Sequence, residues 1–269
     1  MGVTSKLFHA VDCLKRPKLV PIIREAAPGS EFVGKVALVT GGDGGIGSEI
    51  ARQLVAGGCD VTISGRNEGK LAAVAESIGA CFVRIDYSDT EEMESRIHDT
   101  AVKHGGIDFF VSCAGIHTED VNFWTLTSDE FDRVMSVNLR GTFFAARAAA
   151  LEMKEGGHVL LIGSSRGFEP AWSPYGISKW GIRGMTMGLA KQLAPRGISV
   201  NSIAPGATAT ALIGYEAGGN IAAPENTFGR YVMPTEVASL ALYLLSDAAN
   251  MVSGETIRIS GGRGSFDIR

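Results

Sequence analysis

A short apolar run, Val36-Ala37-Leu38-Val39, passes straight into Thr40-Gly41-Gly42-Asp43-Gly44-Gly45-Ile46-Gly47. Apolar residues then recur at Ile50, Leu54 and Val55, up to Gly57-Gly58. No other stretch constrains the chain as much, because it reads as buried strand, glycine turn and amphipathic helix in that order. In that setting the glycines let the backbone turn tightly and approach a pyrophosphate. The helix start offers free N–H groups at the positive end of its dipole. A merely flexible loop would explain the glycines, but not their place between a strand and a helix.

The alternation then continues to the end of the chain. Apolar runs at 61–63, 81–85, 107–113, 158–162, 198–203 and 255–259 predict strands. Helices are expected between them over about 67–78, from 89 onward, 128–155, 173–194 and 235–247. Asp89, Glu91 and Glu92 place carboxylates at the start of one of these helices, where the dipole favours them. A repeated βα pattern with short connections implies one fold class: α/β, a single doubly wound parallel sheet of Rossmann type, with helices on both faces. Residues 34–269 read as one domain. Residues 1–33 read as an N-terminal extension, either docked or a loose arm, with Pro17, Pro21 and Pro28 breaking any pattern.

Charge and composition narrow the function. The net charge of −4 disfavours a nucleic-acid partner, since phosphate binding rests on clustered Lys and Arg. No run approaches the roughly 18 apolar residues of a spanning helix. No membrane partner is therefore expected, and no signal peptide is evident. Cys13, Cys59, Cys81 and Cys113 lack metal or redox spacing and read as free thiols of a cytoplasmic protein. The five histidines are scattered, so no metal site is expected.

In a sheet of this kind ligands bind beyond the carboxyl ends of the strands. The candidates there are the Thr40–Gly47 turn, Gly65-Arg66, Asp86, Ala114-Gly115, Ser164 and Pro205-Gly206. Tyr175 and Lys179 are four apart in a segment that Ser173 and Pro174 mark as a helix start, so they share a face. A nearby ammonium favours a phenolate, which would fit Tyr175 for proton exchange with a hydroxyl or carbonyl. Taken alone, the pair equally fits a solvated helix face. Asn138 falls on a stripe with Phe131, Val134, Met135 and Thr142. A buried amide there needs a partner, either water or neighbouring backbone.

These motifs occur in a fixed order: Thr-Gly-x-x-x-Gly-Ile-Gly at 40–47, Ala114-Gly115, Asn138 within Val-Asn-Leu-Arg-Gly, Ser164, Tyr175-x-x-x-Lys179, and Pro205-Gly206. The set resembles the short-chain dehydrogenase/reductase family in its compact branch, over about residues 34–262. The resemblance implies Tyr175 as catalytic acid–base. Lys179 would lower its pKa and hold the nicotinamide ribose, Ser164 would bond the reacting oxygen, and Asn138 would hold a water leading from Lys179 to solvent. Ser164 is preferred to Ser165 because the family's serine stands three residues before a glycine, here Gly167. The dinucleotide would rest on Gly41, Asp43, Gly45, Ile46, Gly47, Arg66, Asp86, Ala114, Gly115, Tyr175, Lys179, Pro205, Gly206, Thr208 and Thr210. The chain departs from the family at Ser112-Cys113, where the family usually shows two asparagines.

The resulting expectation is hydride transfer between NAD(P)(H) and a secondary alcohol or ketone; the alternative is a catalytically silent dinucleotide-binding regulatory protein. Gly65 in place of a strand-end carboxylate, with Arg66 after it, favours NADP, whereas Asp43 opposes a phosphate, so NAD stays possible. Residues 207–233, with Tyr215 and Phe228, would form a substrate lid. His117, Trp124, Phe168 and Trp172 would line an apolar cleft, although core packing would account for each equally. Apolar residues on several faces of the helices at 128–155 and 173–194 predict a homo-oligomer, a tetramer or dimer.

Overall fold

The computed structural model describes residues 31–119, 121–216, 218–224 and 226–263. Most of the expected extension, residues 1–30, lies outside the described residues. Seven strands form one parallel sheet: β1 (Val36–Thr40), β2 (Asp60–Gly65), β3 (Cys81–Arg84), β4 (Ile107–Ser112), β5 (Met153–Ile162), β6 (Ser199–Pro205) and β7 (Thr256–Ile259). Their order is β3-β2-β1-β4-β5-β6-β7, so the direction of winding reverses between β1 and β4. That switch point is where a crevice opens above the carboxyl ends of the strands.

Neighbouring residues on each strand feed opposite faces. On β1, Ala37 and Val39 join a core with Ile50 and Leu54 of α1 (Gly45–Ala56), Leu71 of α2 (Glu68–Ile78) and Val237 and Ala241 of α7 (Pro234–Leu245). Leu38 points the other way, to Ile97 of α3 (Thr90–His104), Ala145 and Ala149 of α5 (Thr142–Glu152) and Ile182 of α6 (Pro174–Leu193). A sheet covered on both faces explains why its strands read as continuous apolar runs. Among the described residues no helix is long and apolar enough to cross a membrane.

Three expectations need correction. Phe32, assigned to the extension, is buried and meets Phe109 edge-on at 5.8 Å, so the core begins before residue 34. The helix expected over 128–155 is interrupted: α4 (Ser128–Met135) leads into a wide π-helical turn at Ser136–Gly141, then α5. The following strand starts five residues earlier than its apolar run. Met153 buries its side chain and pairs with Ile107, and the register shifts before Phe109 pairs with His158. Gly156, at φ +72°, lets the chain bulge through that shift.

Candidate active site

The glycine turn runs from the end of β1 into α1. Gly41 sits at φ +62°, and a Cβ there would lie 2.8 Å from the Ala114 nitrogen. Any larger residue would separate β1 from the end of β4. The Thr40 hydroxyl accepts N–H bonds from Cys113 (3.1 Å) and Ala114 (3.0 Å). This tether joins the two strands where the family's asparagine pair is missing. The first turn of α1, at Gly45, Ile46 and Gly47, carries N–H groups that no earlier helical carbonyl can accept.

Two cavities meet at Gly115. The first, about 570 Å³, is lined by Gly41, Asp43, Gly65, Arg66, Ala114 and Gly115 among the expected residues, and by Asn67, Lys70, Tyr87, Ile116 and Val137, which the motifs did not point to. A Cβ on Gly65 would stand 2.6 Å from Asp43 Oδ1. The Asp43 carboxylate therefore fills the space above the end of β2, where a strand-end side chain would otherwise grow. Asp86 does not line this cavity. Its Oδ1 accepts from the Ser88 N–H (2.9 Å) and hydroxyl (2.7 Å), and Tyr87 forms the wall instead. Burial raises the Asp86 pKa, but the Ser88 bonds and the nearby Arg66 and Arg84 outweigh it and leave the pKa lowered.

The second cavity, about 260 Å³, brings together Ile46, Ser164, Tyr175, Lys179, Pro205, Gly206, Thr208 and Thr210 of the expected set, with Ser165, Arg166, Leu212, Ile213 and Arg263 unforeseen. Gly45 and Gly47 are not in either wall. They support the turn instead, Gly45 against Thr210 and Gly47 against the Gly41 carbonyl. Pro174 occupies the first turn of α6, and the Ser173 hydroxyl caps the helix by accepting the Gly176 N–H at 3.2 Å. Ser164 lies two residues beyond β5 and caps a short turn, accepting the Arg166 N–H at 3.2 Å. Gly167 explains the spacing to Ser164: its N–H donates to the Ser164 carbonyl (2.9 Å), and a Cβ on it would strike the Lys179 carbonyl at 2.7 Å.

Tyr175 is half-buried, with the His117 ring stacked on it at 4.3 Å and 22°. Its pKa is raised. Burial dominates, and only partly opposing it are a hydrogen bond with the Ser164 side chain and the field of Arg166. Lys179, expected to act on that phenol, takes a backbone partner here. Its ammonium donates to the Ile162 carbonyl at 3.0 Å and lies 5.5 Å from the phenol ring centroid. Burial lowers the pKa of Lys179 itself to about 8. Asn138 has backbone partners: Oδ1 accepts from Ile116 N–H and Nδ2 donates to Ile116 O, both at 2.8 Å, with the Ser178 hydroxyl at 3.4 Å. It lies outside the cavity walls, and its Oδ1 falls 3.4 Å from where a Gly115 Cβ would stand.

The expected apolar lining is not assembled. Of the four aromatics, only His117 lines the second cavity. Phe168 is covered by the guanidinium groups of Arg183 (3.8 Å) and Arg258 (4.9 Å). Trp124 and Trp172 cluster around Phe123 and are exposed. Tyr215 and Phe228 also lie outside that cavity wall. At the opposite, amino end of the sheet the fold does bring together a group of possible metal donors, Asp60, Cys81 and His104. Their wide separation in the chain hid this group, and His104 Nδ1 lies 2.7 Å from Asp60 Oδ2.

The residues present fit a dinucleotide. A glycine cradle that a Cβ would fill, the start of α1 and two joined cavities lie along the carboxyl ends of the strands. A family model described as enoyl-(acyl carrier protein) reductase matches residues 41–263. A short-chain dehydrogenase/reductase of Armillaria gallica is 36% identical over 250 residues, covering 85% of this chain and 95% of the relative. A dehydrogenase/reductase from Sinorhizobium meliloti 1021 superposes with a TM-score of 0.82 at 34% identity, over 88% of this chain and 98% of that one. A Burkholderia cenocepacia J2315 short-chain dehydrogenase, solved in complex with NADP, gives 0.78 at 32% identity, over 86% and 98%. The chain belongs to the short-chain dehydrogenase/reductase family and is an NAD(P)-dependent oxidoreductase of that kind.

Proposed function

We propose that the protein transfers a hydride between NAD(P)(H) and a secondary alcohol or its ketone, with Tyr175 handling the proton. The observation that carries this reading is the Tyr175 phenol, which lines, together with Ser164 and Lys179, the cavity that joins the glycine-turn cavity at Gly115. When bound, the nicotinamide supplies or accepts the hydride. In the reducing direction the carbonyl oxygen gains an electron pair from its π bond and takes the Tyr175 proton. Ser164 holds that oxygen, and Lys179, anchored to β5 through Ile162, faces the ribose. Asn138 fixes the Ile116 turn beside Lys179, where a bound water would connect the ammonium to solvent. Residues 207–233 act as the lid, with Leu212 and Ile213 over the cleft.

We further assign a preference for NADPH over NADH. In the first cavity two cations, Arg66 and Lys70, face one carboxylate, Asp43. A guanidinium suits a phosphate's planar array of acceptors. The helices α4, α5 and α6 leave a groove of about 880 Å³ lined by Met135, Leu139, Phe143, Phe144, Met185 and Leu189. We propose that second copies of the chain cover it, giving a homo-oligomer. A monomeric mass by light scattering at micromolar concentration would refute that.

The assignment of turnover is tested with NADPH and a panel of ketones, following cofactor oxidation. Consumption with at least one ketone, and formation of its secondary alcohol, is the expected result. Tight dinucleotide binding without turnover of any ketone would favour the regulatory alternative.

A further inference from the structure

The second cavity is more basic than the protein as a whole. The chain carries a net charge of −4, yet the walls of this cavity hold Lys179, Arg166 and Arg263 and, among the described residues, no carboxylate. Lys179 is committed to the Ile162 carbonyl. The two arginines belong to the substrate side, one two residues beyond Ser164 and the other beyond β7. They are held in place by a single residue behind them. Glu169 accepts from Arg166 Nη1 at 2.8 Å with one oxygen and from Arg263 Nε at 3.0 Å with the other. Trp180 Nε1 donates to the Glu169 backbone carbonyl at 2.8 Å, which pins that carboxylate to α6. One edge of each guanidinium is thus occupied and its orientation fixed. Arg166 keeps half its side-chain surface in contact with solvent, at 54% exposure, on the wall shared with Tyr175.

A fixed pair of guanidinium groups around one carboxylate leaves an excess positive charge at the mouth of the cleft. Arginine presents a planar fork that matches a second carboxylate in bidentate fashion, and such charge-assisted bonds are stronger than neutral ones. The cation next to Tyr175 also favours negative charge on the reacting oxygen, as transition-state stabilisation requires. Among the described residues, Leu212 and Ile213 are the large aliphatic side chains on the lid side of the wall, enough for a short carbon chain. We propose that Arg166 and Arg263 form a carboxylate subsite beside Tyr175, and that the substrate is a short oxo acid or the matching hydroxy acid. This inference rests on the reading of the site as a ketone reductase.

The test uses the full chain with NADPH and matched pairs of ketones that differ only in the carboxylate, such as 4-oxopentanoate with 2-pentanone and 2-oxobutanoate with butanone. In at least one pair kcat/KM is expected to be about tenfold or more higher for the acid, with the advantage shrinking as salt rises. Arg166→Gln should erase that acid-to-neutral ratio, whatever happens to the absolute rates, and Arg166→Lys should restore part of it. Glu169→Gln, which removes the negative charge shared by both guanidinium groups, should lower KM for the acid selectively and serves as the second variant if Arg166→Gln does not fold. Equal kcat/KM for acid and neutral members in both pairs, or an Arg166→Gln effect equal on both, would overturn the carboxylate subsite while ketone reduction stands. Failure of the wild type to turn over any ketone would overturn both readings.

Discussion

The two cavities that meet at Gly115 are built on different principles. The cofactor side rests on close backbone approach at Gly41 and Gly65, secured by the Thr40 tether, with Asp43, Arg66 and Lys70 set around it. The substrate side is mostly side chain, with Ser164, Arg166, Tyr175, Leu212 and Arg263 arriving from three separate segments, after β5, β6 and β7. Backbone recognition tolerates little change in shape and says little about ligand identity. Side-chain recognition is the reverse. Substitutions on the two sides should therefore separate binding from chemistry, and each prediction below is a way to test that separation.

The largest effect is expected at Tyr175. Tyr175→Phe removes one hydroxyl, so the protein should fold and bind cofactor within about twofold of wild type. Turnover should fall by about 10²–10⁴, the usual contribution of a positioned acid–base group. Retention of a tenth of wild-type kcat would break the assignment.

The next effect is in pH. Burial raises the Tyr175 pKa from its ordinary value near 10, so the phenol keeps its proton throughout the neutral range. Reduction needs that proton and should vary little between pH 6 and 9. Oxidation needs the phenolate, whose fraction grows by about tenfold per pH unit below the pKa, so kcat/KM for the alcohol should climb steeply over the same range. An alcohol-oxidation rate that is flat from pH 7 to 9 would show that another group takes the proton.

The sequence made these two sides legible to different degrees, and the reason is physical. The strand–turn–helix run and the βα alternation are local patterns, so the parallel sheet and the glycine turn between β1 and α1 could be read directly. The Ser173–Pro174 start of α6 was equally visible because capping is a local event. The wide turn at Ser136–Gly141 was not visible, because Val137, Asn138 and Gly141 fit ordinary helical spacing as well as the wider one. Nor was Arg166–Glu169–Arg263, which joins residues 94 apart in the chain. For Phe168 the sequence left a pocket wall and core packing equally open, and here two arginines cover it.

A tenfold effect is expected on the cofactor side. Arg66 lines the first cavity beside Gly65, Asn67 and Lys70. If it grips a 2′-phosphate, Arg66→Ala should weaken NADPH by about tenfold and leave NADH within about twofold, a difference of ~1.4 kcal/mol. Lys70 stays behind, so the loss should not be complete. Equal weakening of both cofactors would mean that Arg66 acts only on the shared part of the dinucleotide. A wild-type preference for NADH would refute the assignment outright.

The smallest effect should come from Asp43, which tests most sharply how far backbone and side chain divide the labour. Its carboxylate stands over Gly65, so it joins Arg66 and Lys70 as a side chain able to choose between cofactors. A negative charge there accepts hydrogen bonds from ribose hydroxyls and repels a phosphate dianion. Arg66 and Lys70 share the cavity and screen it, and water reaches the cavity, so the repulsion is weak. Asp43→Ser should therefore improve NADPH by a few-fold, roughly 0.5–1 kcal/mol, the scale of an exposed charge pair. NADH should weaken by a similar amount, because serine keeps a hydroxyl but loses the charge. Isothermal titration with both cofactors reads the two changes separately. Movement of both affinities in the same direction would show that Asp43 only shapes the turn, and that cofactor choice lies wholly with Arg66 and Lys70.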